Sequence, residues 1–197
     1  GTIGDARSWP EEVLERARDH LSTDGASKSL NVGGARCFLR SIRRRPRLLL
    51  VGATDVSAKL LPLAHALGWS TVLVDPRRPY LAPERFPCAP HQTFEEWPQA
   101  VIRRLDLGAG DAALALTHDP KIDDAALEAL LGLPVGYIGA LGSRRSPARR
   151  LERLKESGLT EDALARIHGP AGIHLATPDA GGIALGMLAG IVQWRAE

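Results

Sequence analysis

The stretch Arg47–Asp75, RLLLVGATDVSAKLLPLAHALGWSTVLVD, decides the fold. Its opening apolar run, Leu48–Val51, is the length of a strand and closes at Gly52. Apolar residues then recur at helical spacing over Val56–Leu67, with Pro62 a predicted kink, and Gly68 stops the run. A second apolar run, Thr71–Val74, ends at Asp75. Two strands that are continuously apolar are strands covered on both faces, and a helix between them makes them neighbours in a parallel sheet.

The same alternation continues outward from this unit. Pro76–Pro90 reads as a proline-dense loop, Phe94–Arg104 as helix, Ala112–Leu116 as strand, Asp123–Leu131 as helix and Pro134–Ile138 as strand. Helices follow at Ser146–Glu156 and Thr160–Arg166, then a loop at His168–Ala176 and a last helix over Ala180–Arg195. The fold class is therefore α/β, a Rossmann-like parallel sheet with helices on both faces, occupying residues 46–197. Residues 1–45 differ. Ser8, Pro10 and Glu11 resemble a capping box, with Val13, Leu14, Ala17 and Leu21 at helical spacing behind it, and Leu30–Ile42 supplies one or two strands. One helix and a hairpin cannot make an independent core, so this part reads as a small N-terminal α+β remnant of an accessory domain.

Composition narrows the function classes. The chain has 197 residues, 44% hydrophobic and 24% charged, with 25 basic and 23 acidic residues giving a net charge of +2. With so small a net charge, the basic cluster of Arg36, Arg40, Arg43, Arg44, Arg45 and Arg47 reads as a charged strand edge, and nucleic acid is not an expected partner. The uncharged stretch Ala180–Trp194 is shorter than the roughly 20 residues that cross a bilayer, and no membrane association is expected. Two distant cysteines, Cys37 and Cys88, fit neither a disulfide framework nor a zinc site, and the cytoplasm is the expected compartment. No metal ligand set is expected.

Ligands of open α/β sheets bind beyond the carboxyl ends of the strands, so the loops there hold the candidate site residues. The dinucleotide fingerprint would place glycines at Gly52, Thr54 and Ser57. Only the first is glycine. The Thr54 side chain obstructs close phosphate approach, although its hydroxyl could donate one hydrogen bond, and Asp55 follows it. Asp75, some 20 residues on and followed by Pro76 and Arg77, could accept from a ribose hydroxyl or a pterin amine, or cap its own loop. Thr117, His118 and Asp119 leave the next strand together, and Pro120 halts the backbone there. With no nucleophile beside them they read as orienting groups, and no catalytic residue is assigned. The loop Gly139–Arg145, GALGSRR, runs into Ser146–Pro147, a good helix start. Amides around Gly142 and Ser143, with Arg144 and Arg145, make an anion site for phosphate or pyrophosphate, or else both arginines are solvated and pair with acids. Gly182, Gly186 and Gly190 form a stripe that packs the last helix on the sheet and secondarily marks a dimer seam.

Taken in order, RLLLVGA, VLVDPR, ERFP, ALTHDP, YIGALGSRR and ARRLERLKESGLTEDALARIHGPAGI resemble the Rossmann domain of the XdhC/CoxI family over about Pro46–Val192. That family usually reads GAGHV where this chain has Gly52-Ala53-Thr54-Asp55-Val56. Its GLDIGA-x-TPEE segment aligns with Gly172–Gly182, where His174 replaces the aspartate and Thr177-Pro178 stands two residues early. The resemblance implies an accessory protein that binds molybdenum cofactor (molybdopterin) and delivers it to the apoenzyme of a xanthine dehydrogenase-type molybdenum hydroxylase, a cofactor-insertion factor rather than a catalyst. It also implies a homodimer and a cysteine desulfurase as a further partner. On this reading the basic loop holds the phosphate, while Asp75, Thr117, His118 and Asp119 hold the pterin. Two alternatives stay open: an NAD(P)-dependent oxidoreductase, and a divergent paralogue that binds only protein partners.

Overall fold

The computed structural model describes residues 9–23, 27–32, 35–39, 44–142 and 146–196. The chain divides into two compact units, Gly1–Arg44 and Arg45–Glu197. In the first, α1 (Glu11–Thr23) precedes an antiparallel hairpin of β1 (Lys28–Val32) and β2 (Ala35–Leu39). Val13 and Leu14 of α1 and Val32 of β1 are buried. Ser8, Arg40 and Arg43 lie outside the described residues.

The second unit is built on a six-stranded, all-parallel sheet. Its strands are β3 (Arg47–Val51), β4 (Ser70–Val74), β5 (Gln92–Phe94), β6 (Ala112–Ala115), β7 (Tyr137–Ala140) and β8 (Ile167–His168), in the spatial order β5-β4-β3-β6-β7-β8. The chain runs outward from β3 to one edge, returns to lay β6 beside β3, and runs outward to the other edge. Strand order therefore reverses between β3 and β6.

Alternation along each strand assigns its side chains to two layers. Leu49, Val51, Val72, Val74, Ala113 and Ile138 face a layer that contains α3 (Pro98–Ile102), α4 (Pro120–Leu131), α5 (Ser146–Glu156) and α6 (Glu161–Leu164). Leu48, Leu50, Leu73, Ala112, Leu114 and Tyr137 face α2 (Asp55–Ala66) and α7 (Ala180–Ala196). Each layer excludes water from one face, which is why β3 reads as an unbroken apolar run. At the amino ends of the strands, buried Asp111 ties two elements together by accepting from the Arg47 amide at 2.8 Å and the Gly108 amide at 2.8 Å.

Four expectations need correction. Phe94–Arg104 is not one helix: Gln92–Phe94 adds an edge strand to β4, and only Pro98–Ile102 is helical. Ile167–His168, expected to lie between the end of a helix at Arg166 and a loop from His168, forms the opposite edge strand. Pro120 does not halt the chain but opens α4, with Asp119 as its cap accepting from the Lys121 amide at 3.0 Å, because proline's missing N–H costs nothing in a helix's first turn. The glycine stripe of α7 does not meet the sheet. It receives the backbone of the incoming segment, with Ile173 N–H donating to the Gly186 carbonyl at 2.9 Å. A Cβ on Gly190 would stand 2.5 Å from Gly172 Cα, and one on Gly186 would overlap the Ile173 carbonyl.

Gly172 carries both a positive φ of 86° and backbone contacts that leave no room for a Cβ, whereas Gly158 has a φ of 95° in open space. Gly158→Ala should therefore cost about 1 kcal/mol, the conformational term alone. Gly172→Ala should cost at least about 2 kcal/mol more in urea denaturation, through displacement of the segment from α7. Equal losses in the two variants would contradict this packing.

Candidate functional site

Three loops meet at the carboxyl ends of β3, β6 and β7. The first leaves β3 at Gly52, whose φ is 109° and whose missing side chain is a steric need: a Cβ there would overlap Thr117 Cγ2 of the second loop. The two loops thus touch where the strand order reverses. Thr54 caps α2 in a reciprocal box. The Ser57 amide donates to Thr54 Oγ1 at 3.3 Å, and the Thr54 amide donates to Ser57 Oγ at 2.8 Å.

Asp75 lies beneath this loop, fully buried. Its Oδ2 accepts from the Ala53 amide and from Arg77 Nη2, both at 2.8 Å, and its Oδ1 from the Arg77 amide and Nε, both at 2.9 Å. Four donors occupy the carboxylate, so its charge goes to Arg77 and the loop backbone rather than outward to a ribose or pterin. Burial alone would raise its pKa, yet Arg77 and the amides outweigh burial and hold it below the ordinary carboxylate value. Arg77 and Arg85 both lie over the Tyr80 ring, 4.2 and 5.1 Å from its centroid. Arg85 also donates to the Ala53 carbonyl at 3.3 Å, with Nη2 3.5 Å from Asp55 Oδ1.

The second loop is Thr117–Asp119. Among the described residues His118 is the one non-glycine residue at positive φ, 62°, and its side chain is exposed at the rim. Asp123 holds it there from the first turn of α4. The Thr117 amide and hydroxyl donate to Asp123 Oδ1 at 3.1 and 2.7 Å, and the His118 amide donates to Oδ2 at 3.0 Å. Burial pushes the Asp123 carboxyl upward, while these donors and the cation of Arg150 favour its charged form. Arg150 Nη2 is 3.8 Å from Asp123 Oδ2 and donates to the Leu141 carbonyl at 2.9 Å. It is 7% exposed, and its Nε has no hydrogen-bond partner. One buried charge pair therefore spans the second loop and the start of the third.

The third loop leaves β7 through Leu141 and Gly142. Ser143, Arg144 and Arg145 lie outside the described residues, and α5 begins at Ser146. Beside Gly142 is a cavity of about 200 Å³ lined also by Pro170, His174, Thr177, Gly182 and Met187. It lies between the end of β7, the segment that docks on the glycine stripe and the first turns of α7. Asp179 caps that helix, accepting from the Gly181 and Gly182 amides, each at 2.9 Å.

Gly52, Thr54, Asp55, Asp75 and Arg77 are thus gathered at the first loop, Thr117, His118 and Asp119 at the second, and Gly142 at the third. Sequence reading missed Tyr80 and Arg85, hidden in the proline-rich loop, and the buried pair Asp123–Arg150. Only the polar residues on apolar helix faces signal that pair.

The XdhC Rossmann-domain model matches residues 48–191. The chain belongs to that family. Among curated relatives, YqeB of Escherichia coli is 33% identical over 206 residues, covering 98% of this chain and 38% of its own length. A probable xanthine dehydrogenase subunit of Bacillus subtilis is 27% identical over 191 residues, covering 95% of this chain and 54% of its own length. The molybdenum cofactor insertion chaperone PaoD of Escherichia coli is 31% identical over 102 residues, 52% of this chain and 31% of its own length. The chain therefore spans about half or less of each of these relatives. A crystal structure described as a xanthine dehydrogenase from Bacillus halodurans superposes with a TM-score of 0.65 at 26% identity, over 76% of this chain and 42% of the other. The parallel sheet described above is the Rossmann-like architecture of this family.

Two consequences of the buried charges can be measured. Arg150→Met leaves Asp123 charged and buried without its cation, so a loss of about 3–5 kcal/mol is expected in urea denaturation. The double variant with Asp123→Asn should recover part of it, and a loss under about 1 kcal/mol in the single variant would refute the pairing. Because Asp75 has its folded pKa below the ordinary 3.8, its stabilisation is complete above that pH and disappears as pH falls through the folded value. The drop in urea midpoint on acidification should accordingly be smaller in Asp75→Asn than in the parent protein. An equal drop in both would count against that assignment.

Proposed function

We propose that this protein binds molybdenum cofactor at the carboxyl rim of its sheet and passes it to the apoenzyme of a molybdenum hydroxylase of the xanthine dehydrogenase type. The observation that carries the reading is the cavity beside Gly142, at the root of the basic loop, in a member of the XdhC family. At about 200 Å³ it is smaller than the roughly 300–1,000 Å³ of pockets that enclose a whole small-molecule ligand. It suits one part of a molybdopterin, with the remainder lying along the rim. The Thr177 hydroxyl, the His174 imidazole and the backbone at Gly142 supply polar groups on an otherwise apolar wall, as a planar hydrogen-bonding heterocycle requires. Arg144 and Arg145 follow Gly142 in the chain and supply two cations for the phosphate. The molybdenum is carried by the cofactor's own dithiolene, so the donors present need not include metal ligands.

In this reading the protein holds rather than transforms. His118, fixed at the rim by the Asp123 carboxylate, orients the ligand. The nicotinamide alternative fits less well: the Asp75 lone pairs are already occupied by Ala53 and Arg77, and Thr54 caps its own helix. The names of the relatives, a cofactor insertion chaperone and a xanthine dehydrogenase subunit, support a hydroxylase as partner. A homodimer, a cysteine desulfurase partner and a cytoplasmic site of action belong to the proposal as well. No helix among the described residues is long and apolar enough to cross a membrane.

The test is to incubate the purified protein with cofactor extracted from a molybdoenzyme and identify what stays bound by native mass spectrometry. Saturable retention of molybdopterin is expected, weakened about tenfold or more by Arg144→Ala with Arg145→Ala, since two charge-assisted contacts are lost. Retention of NAD or NADP instead, or of nothing by a folded sample, would defeat the proposal.

A further inference from the structure

A second chemical cluster lies at the other end of β4, away from the rim, and none of its members enters the proposed cofactor site. His65, in the last turn of α2, places Nε2 2.8 Å from Thr71 Oγ1 and Nδ1 3.6 Å from Cys88 Sγ. Thr71 is buried at the start of β4 and also meets His91. Its amide donates to His91 Nδ1 at 3.1 Å, its Oγ1 stands 3.1 Å from the same nitrogen, and the His91 amide donates to Oγ1 at 3.3 Å. The two imidazoles meet edge to face, with centroids 4.5 Å apart.

Counting protons narrows the direction of each contact. A backbone N–H can only donate, so His91 Nδ1 is an acceptor and carries no hydrogen. The Thr71 hydroxyl has one hydrogen to place between His91 Nδ1 at 3.1 Å and His65 Nε2 at 2.8 Å, and donation to His91 is the assignment in which no two acceptors face each other. In that assignment His65 Nε2 supplies the hydrogen of the 2.8 Å contact to Thr71, which makes Nδ1 the bare nitrogen of a neutral ring. That nitrogen is the one facing Cys88 Sγ. Burial, followed by the neighbouring His91, depresses the His65 pKa and keeps the ring neutral. Cys88 is only partly buried. Nucleophile, adjacent base and a third group that fixes the tautomer of the base form the arrangement that activates thiols.

We propose that Cys88 is a nucleophilic thiol with His65 as its base, and that it undergoes exchange with low-molecular-weight disulfides. The Cys88 S–H proton passes to His65 Nδ1 as Sγ attacks one sulfur of R–S–S–R. The S–S bond breaks, Cys88–S–S–R forms, and the departing thiolate takes the proton from His65 and leaves as R–SH. The Cys88 sulfur is oxidised and one sulfur of the disulfide is reduced, so no other oxidant is needed. The site is independent of cofactor binding at the rim.

The experiment uses the full chain carrying Cys37→Ser, leaving one thiol, with oxidised glutathione as probe and intact-mass spectrometry as readout. One glutathione adduct at Cys88 is expected, formed at least about tenfold faster than in the same protein with His65→Gln, given the usual contribution of a positioned base. Equal rates in the two folded proteins would overturn the proposal. Should His65→Gln fail to fold, the imidazole ¹⁵N shifts of the parent protein decide. A bare Nδ1 and protonated Nε2 on His65 support the proposal, and the opposite tautomer removes the base and overturns it.

Discussion

The structure depends on the close contact of two loops at the point where strand order reverses. β3 and β6 are adjacent strands, so the chains leaving them must part within a single interstrand spacing. Gly52 makes this possible, because at that φ and that distance from Thr117 no side chain fits. Once that contact is fixed, the remaining geometry of the rim follows. The Ala53 amide faces Asp75, Thr54 is placed to cap α2, and Thr117 and His118 turn over the first turn of α4. The same constraint that lets the sheet close therefore assembles the candidate site.

Buried charge stiffens that assembly. Asp75 and Asp123 are each almost wholly removed from water, and each is held by donors from a rim loop and by an arginine. A carboxylate so placed costs several kcal/mol to desolvate, so it contributes specificity more than net stability: any rearrangement of the loop strands a charge. Arg150 extends this logic between loops. By holding the Leu141 carbonyl as well as facing Asp123, it makes the start of the basic loop move only if the Thr117–Asp119 loop moves too.

Much of the fold was legible because burial on both faces leaves a mark that needs no context. β3, β4 and β6 appear as unbroken apolar runs, and α2, α4 and α7 have the expected period. The edge strands were not legible. Gln92–Phe94 and Ile167–His168 are short, and their strand character comes from pairing with β4 and β7 rather than from composition. Pro120 misled for a related reason, since proline stops a helix interior but starts a helix, and only the position of Asp119 as cap distinguishes the two. At the rim, the residues that sequence reading singles out sit on loops that leave strands, whereas it passes over Asp123, Arg150, Tyr80 and Arg85. Their roles depend on contacts between segments distant in sequence, which spacing does not encode.

The two halves of the rim differ in what they leave free. Around the first loop the polar groups are largely consumed internally: the Ala53 amide by Asp75, the Thr54 amide by Ser57, the Ser57 amide by Thr54. An exposed carboxylate, Asp55, then stands at the start of α2 and opposes the attraction its helix dipole would exert on an anion. Beyond β7 the balance is reversed. Gly142 borders an open cavity, and the residues that follow are a serine and two arginines before a helix begins. Thr54 and Asp55 therefore make the start of α2 a poor seat for an anion, while Gly52 keeps the room that the Thr117 side chain needs.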